Sequence, residues 1–150
     1  MARKSRRKDP LKLLLSVFSV ILVVLIGLFL KNSEPQLSTD TDFVKIIDVG
    51  QAECILLYSN GQTALIDAGL ADTSGDVAAA LQEYGITEID VLLISHLHSD
   101  HSGGVPNLFD IFSVKNLILP ELSVNSEGMS HAQFAINAVT KSGGEVFNAV

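Results

Sequence analysis

Residues Ile89–Gly104 read IDVLLISHLHSDHSGG, and this stretch decides the fold. Ile89–Ser95 is a nearly continuous apolar run, the pattern of a parallel strand buried on both faces. It passes directly into His96-Leu97-His98-Ser99-Asp100-His101, which holds three of the chain's four histidines, and then into Gly103-Gly104. Imidazoles and a carboxylate at this density suit a divalent transition metal such as zinc. A surface loop with scattered histidines is the plain alternative, and the clustering at the end of a core strand weighs against it. His96 and His98, two apart, can project from one side of an extended exit and hold a first ion. Asp100 and His101, past the bend, can face a second. The two glycines let the backbone turn tightly around such a site. The carboxyl end of a parallel strand is also where open α/β sheets place their ligands.

Working outward, Phe43–Asp48, Glu53–Tyr58 and Thr63–Asp67 read as strands, the last two separated by Ser59-Asn60-Gly61-Gln62. Asn-Gly between apolar runs is the strongest short hairpin signal. Thr73–Tyr84 switches to helical spacing through Val77, Ala80, Leu81 and Tyr84, with Thr73 or Ser74 as cap and Gly85 just beyond the end. After the His96–Val105 loop, Pro106 suits the first turn of a short helix, and Val114–Leu119 reads as a strand. A helix follows over His131–Ser142, and Glu145–Val150 opens another strand. The fold class is α/β.

The amino-terminal part is a different object. Leu13–Leu30 (LLLSVFSVILVVLIGLFL) is eighteen residues without a charge, which at about 1.5 Å per residue reaches roughly 27 Å, close to a bilayer core. Arg3, Lys4, Arg6, Arg7, Lys8 and Lys12 precede it. A cleaved secretory signal shares this layout, but the run is long for one and Lys31-Asn32-Ser33-Glu34-Pro35 offers no small-x-small site. The reading is a single-pass membrane anchor: residues 1–12 a basic cytoplasmic tail, 13–30 the transmembrane helix, 31–42 a linker and 43–150 an extracytoplasmic domain, oriented by the positive-inside rule. From Asn32 onward three lysines face sixteen acids, a net charge of −13. So acidic a domain disfavours nucleic acid as a partner unless cations intervene. The single cysteine, Cys54, excludes an internal disulfide framework and a zinc site of several thiolates. It lies in an apolar stretch and reads as buried and inert.

HLHSDHSGG preceded by EIDVLLIS resembles the HxHxDH signature of the metallo-β-lactamase fold superfamily. Phe43–Glu53 (FVKIIDVGQAE) and Ala64–Gly69 (ALIDAG) are similar to the opening strands of the subgroup that includes the extracytoplasmic domain of competence-type DNA-uptake channels. The subgroup's commoner Gly-Gln-Gly-Asp appears here with Ala52 in place of Gly and Glu53 in place of Asp. Asp48 and Gln51, in the same loop, are therefore assigned no role. The resemblance implies an αββα sandwich of which this chain holds the first half. It implies two divalent metal ions, zinc or manganese, with His96 and His98 on the first and Asp100 and His101 on the second. Asp100 would also orient a bridging hydroxide or take its proton. Asp67 would hold a ligand from behind; its plain reading is a turn residue capping local N–H groups.

The resemblance implies that further ligands come from later strands, so that the chain as it stands carries half a site and is inactive alone. His131 is expected in the cap region of its helix and not as a ligand. The first functional expectation is a membrane-anchored, metal-dependent hydrolase of an ester, amide or phosphodiester, with the substrate left open. The second is a non-catalytic binding module that keeps the fold and half the metal site. A truncated, aggregation-prone product is the third.

Overall fold

The computed structural model of the chain describes residues 10–31, 37–122 and 127–149. It falls into two compact units, residues 1–34 and 35–150. In the first, helix α1 covers Pro10–Lys31. Its described side chains, Leu11 and residues 14–28, are all exposed. Among the described residues no helix is long and apolar enough to cross a membrane; the unbroken described run, residues 14–28, is shorter than the eighteen-residue anchor expected from the sequence. Taken alone, then, the described residues do not support the transmembrane expectation. The basic cluster at Arg3, Lys4, Arg6, Arg7 and Lys8 and the side chain of Lys12 lie outside them.

The second unit is a six-stranded sheet with helices on one face. In chain order come β1 (Phe43–Ile46), β2 (Ile55–Ser59), β3 (Gln62–Ile66), α2 (Ser74–Glu83), β4 (Glu88–Leu93), α3 (Ser99–Ser102), α4 (Val105–Ile111), β5 (Ser113–Leu119), α5 (Met129–Lys141) and β6 (Glu145–Asn148). Spatial order equals chain order, β1 through β6. The first three strands form an antiparallel meander and β3 to β6 run parallel. The β2–β3 hairpin turns at Asn60 and Gly61, both at positive φ (51° and 79°), the geometry of a type I′ turn. α2 ends as expected, with Gly85 in the left-handed region at φ 68°. Its start differs: Thr73 stands at the cap but makes no side-chain cap bond. Its hydroxyl instead donates to the Leu70 carbonyl and accepts from the Leu70 N–H, both at 3.1 Å, closing the loop before the helix.

Register explains which strand residues form the core. Leu56, Leu65, Leu92 and Leu117 stand side by side across four strands and are each 0% exposed. Val77, Ala78 and Leu81 of α2, Val105 and Leu108 of α4, and Ala132, Ala135 and Val139 of α5 join them in one core. Each fully buried leucine contributes roughly 1.5–3 kcal/mol over leaving it exposed. The adjacent row, one residue along each strand, faces away: Ile46, Ile55, Ile66, Leu93, Ile118 and Phe147. None of these six is buried, and Ile46 is 80% exposed. The α/β class holds; of the expected αββα sandwich, the described residues supply one helical layer and one sheet.

Candidate metal centre

The site is assembled where β3 and β4 end side by side. β4 stops at Leu93, and Ile94 still donates to the Ile118 carbonyl of β5 (2.9 Å), so the chain leaves the sheet at Ser95 with its direction fixed. The following loop is not wholly irregular, as the sequence reading had it. His98, in extended backbone, caps the single turn of α3, where the N–H groups of His101 and Ser102 donate to its carbonyl (3.0 and 2.9 Å). The backbone then packs against two neighbouring loops. Ala68 donates to the His101 carbonyl (2.7 Å), Glu53 to the Asp100 carbonyl (3.1 Å) and Gly104 to the Gly69 carbonyl (2.9 Å). Gly103 and Gly104 have ordinary negative φ. What they allow is close approach, since a Cβ on Gly104 would collide with the Ala68 carbonyl and one on Gly103 with the Ser99 carbonyl.

Asp67 is the keystone of the side-chain arrangement. It is 1% exposed and holds φ at 60°, a left-handed conformation that Asp tolerates better than most residues and that costs about 1–3 kcal/mol. In return its carboxylate faces the histidine loop. Oδ1 accepts from the Ser95 backbone N–H (2.7 Å); Oδ2 accepts from the Ser95 hydroxyl (2.6 Å) and from His101 Nδ1 (2.7 Å). A carboxylate oxygen only accepts, so the His101 proton sits on Nδ1 and the lone pair on Nε2. That Nε2 lies 3.6 Å from Oδ2 of Asp100. With its proton given to Asp67, the Ser95 oxygen accepts from His96 Nδ1 at 3.1 Å, which leaves the His96 lone pair on Nε2 as well. One buried carboxylate thus fixes the hydrogen bonding of both imidazoles, His101 directly and His96 through Ser95.

His96, Asp100 and His101 each offer a donor atom, all within 4.8 Å of one another. Two neutral imidazoles and a carboxylate are a donor set that fits zinc or manganese. Three protein ligands with a position left open is the pattern of a catalytic zinc site. The group holds Asp100 with His101 and adds His96 to them. His96 stands with His101, ring centroids 3.7 Å apart, while the exposed His98 meets His96 edge-on at 4.9 Å and lies outside the group. Asp67 does more than cap a local turn, since its carboxylate bonds Ser95 and His101 on the neighbouring loop. Asp48 accepts from the Gly50 N–H (3.2 Å), a local turn, and Gln51 is exposed. Cys54 is buried at 1% exposure, and burial, with the Asp67 charge adding, pushes its thiol up to about 12. The sequence reading missed Ser95, whose only signal was its place between the strand and His96, and Ser102, which is treated below.

The metallo-beta-lactamase superfamily profile matches residues 47–140, more than half of the chain. The chain belongs to the metallo-beta-lactamase superfamily. Recombination protein 2 of Haemophilus influenzae is 31% identical over 119 residues, covering 76% of this chain and 14% of that protein. Endoribonuclease ysh1 of Aspergillus fumigatus is 30% identical over 91 residues, 59% of this chain and 9% of that protein. The chain therefore spans under a sixth of the length of these relatives. A diphosphatase of the PhnP family gives a structural match with TM-score 0.44 and 16% identity, over 67% of this chain and 38% of that one. The superfamily usually binds divalent metals, and the His96–Asp100–His101 group is where this chain offers donors for one.

Proposed function

We propose that the chain is the membrane-anchored, extracytoplasmic part of a metal-dependent hydrolase, with zinc or manganese held by His96, Asp100 and His101. The observation that carries this reading is the set of three donors within 4.8 Å, two of them turned to present Nε2 by Asp67 and Ser95. An ion held there would supply a Lewis acid and would lower the pKa of a coordinated water to about 7, as hydrolysis at neutral pH requires. The chain's own residues do the positioning. Asp67 fixes His101, Ser95 fixes His96, and the half-buried Asp100 carboxylate can orient a water or accept its proton at the mouth of the site. A second ion would draw on His98 and on donors that the described residues do not supply.

The reaction class is attack on an ester, amide or phosphodiester. The relatives' names, a recombination protein and an endoribonuclease, favour a phosphodiester. The net charge of −13 beyond residue 31 opposes polyanions and makes bound cations a condition of such a substrate. The anchor is supported by the uncharged run Leu13–Leu30 and by the 22 residues of α1, about 33 Å of helix.

The test uses the full chain in detergent micelles. After dialysis against trace zinc, elemental analysis should find close to one retained ion per chain, lost in both His96→Ala and His101→Ala. No retained metal in the wild type, or equal retention in the double variant, overturns the assignment. Flotation with liposomes tests the anchor: the full chain should float and a chain starting at residue 37 should not.

A further inference from the structure

We propose that His131, together with Gly128 and the buried Ser102, forms a clasp that holds the histidine loop in its ligand-presenting shape, which makes His131 a positioning residue for a centre it does not ligate. Ser102 is 1% exposed and its hydroxyl lies at the middle of three contacts: the Leu97 carbonyl (3.0 Å), the His98 carbonyl (3.1 Å) and His131 Nδ1 (3.1 Å). Carbonyls only accept, so the single hydroxyl proton is shared between them, and the Ser102 oxygen accepts from Nδ1–H of His131. The two carbonyls bracket the link from Leu97 to His98, and Ser102 itself follows His101. One hydroxyl thus fixes the path of the backbone before Asp100 and after His101.

The clasp comes from a separate element that is firmly rooted. α5 buries Ala132, Ala135 and Val139 in the core. Its N-cap, Gly128, adopts φ 72° and sits against the loop so closely that a Cβ would collide with the Leu97 carbonyl and come within 2.9 Å of the Ser102 hydroxyl. No side chain caps the helix start. His131 is in the cap region, as the sequence suggested, yet its ring meets Ser102 (3.1 Å) while no side chain bonds the helix start. A residue that served only its helix would have no reason to meet a buried hydroxyl 29 positions upstream. The consequence for metal rests on the proposed centre; the ordering of the loop does not.

The experiment compares the wild type, His131→Ala and His131→Asn as full chains in detergent micelles, the Asn amide supplying an N–H near the position of Nδ1–H. Imidazole nitrogen spectra of the wild type should give His131 as the Nδ1–H tautomer. In His131→Ala the amides of His101, Ser102 and Gly103 should exchange about 5- to 30-fold faster, the loss of one or two hydrogen bonds, with Leu92 and Leu117 amides unchanged. His131→Asn should restore most of the protection. Zinc affinity should fall about tenfold in the Ala variant, the lower end of what residues behind a ligand set. Unchanged loop exchange, a parallel rise at Leu92 and Leu117, or zinc affinity within twofold of wild type overturns the clasp. If the wild type retains no zinc while loop exchange behaves as stated, the clasp stands and the metal assignment falls.

Discussion

Asp67→Asn separates the role of a charge from the role of a shape. Asn tolerates the left-handed backbone that Asp67 adopts at φ 60°, so the turn survives, which it would not with Ala. The hydrogen bonds do not survive. With its oxygen kept on the Ser95 N–H at 2.7 Å, the amide NH2 faces the Ser95 hydroxyl and His101 Nδ1, positions now 2.6 and 2.7 Å from Oδ2. Both must then accept. His101 moves its proton to Nε2, the nitrogen turned toward Asp100, and Ser95 turns its proton toward His96 Nδ1, 3.1 Å away, driving the His96 proton to Nε2 too. Flipping the amide is no escape, because the NH2 would then meet the Ser95 N–H, donor against donor.

To bind an ion the variant must break one or two hydrogen bonds of about 1 kcal/mol each and leave a buried donor unpaired at a further 1–3 kcal/mol. Each 1.36 kcal/mol is a factor of ten, so the sum of about 2–5 kcal/mol should lower zinc affinity by about 30-fold or more, its lower end overlapping the roughly 10- to 100-fold found for residues that orient metal-bound histidines. The assay is competition against a chromophoric zinc chelator, read beside the imidazole nitrogen spectrum of His101. The variant should fold, with His101 in the Nε2–H form. Affinity within twofold of wild type, with His101 still protonated on Nδ1, would refute the reasoning.

Three further outcomes follow from the packing and the charges. Leu92→Ala should lower stability to urea by about 2–5 kcal/mol, since Leu92 is 0% exposed, and Leu93→Ala, on the uncovered face, by much less; equal losses would contradict the assigned faces. Burial works against ionisation of Asp90, but the Lys115 ammonium (2.7 Å) and the Thr63 N–H (2.8 Å) outweigh it and hold the carboxyl below its ordinary 3.8. Its contribution is therefore complete above about pH 4 and lost as pH falls through the lowered value. Lys115→Met should flatten part of that acid loss, and about 1 M salt should shrink the difference; an acid limb identical in both proteins would refute it. Cys54, with its thiol pushed up to about 12, should resist alkylation at pH 8 until urea unfolds the domain, and prompt reaction of the native chain would show that the burial is wrong.

What the sequence made legible is what backbone pattern and turn chemistry decide locally. Asn60-Gly61, Gly85, the apolar run into β4 and the helical spacing of α2 and α5 all appear where expected, within a residue or two. The hydroxyls were not legible. Thr73, Ser95 and Ser102 each act through an oxygen whose partners lie up to 29 residues away, and nothing in their neighbours' identity announces it. His98, two residues from His96, lies beside it with ring centroids 4.9 Å apart, in extended backbone just before α3 begins at Ser99.

The run IDVLLIS carries a lesson of another kind. Its continuous apolar character reads as burial on both faces, and the described structure buries one: Leu92 is 0% exposed and its neighbour Leu93 is only half-buried. The same holds across the sheet, where the row from Ile46 to Phe147 is as apolar as the leucine row beside it and is left uncovered. Strands with one wet face alternate apolar and polar residues, and six aligned apolar side chains in water are a liability that soluble sheets avoid. Along the sheet this row is as continuous as the leucine row that builds the core. Leu93 and Ile118 are the last pair of β4 with β5, two residues before Ser95 meets Asp67, so the row runs up to the histidine loop.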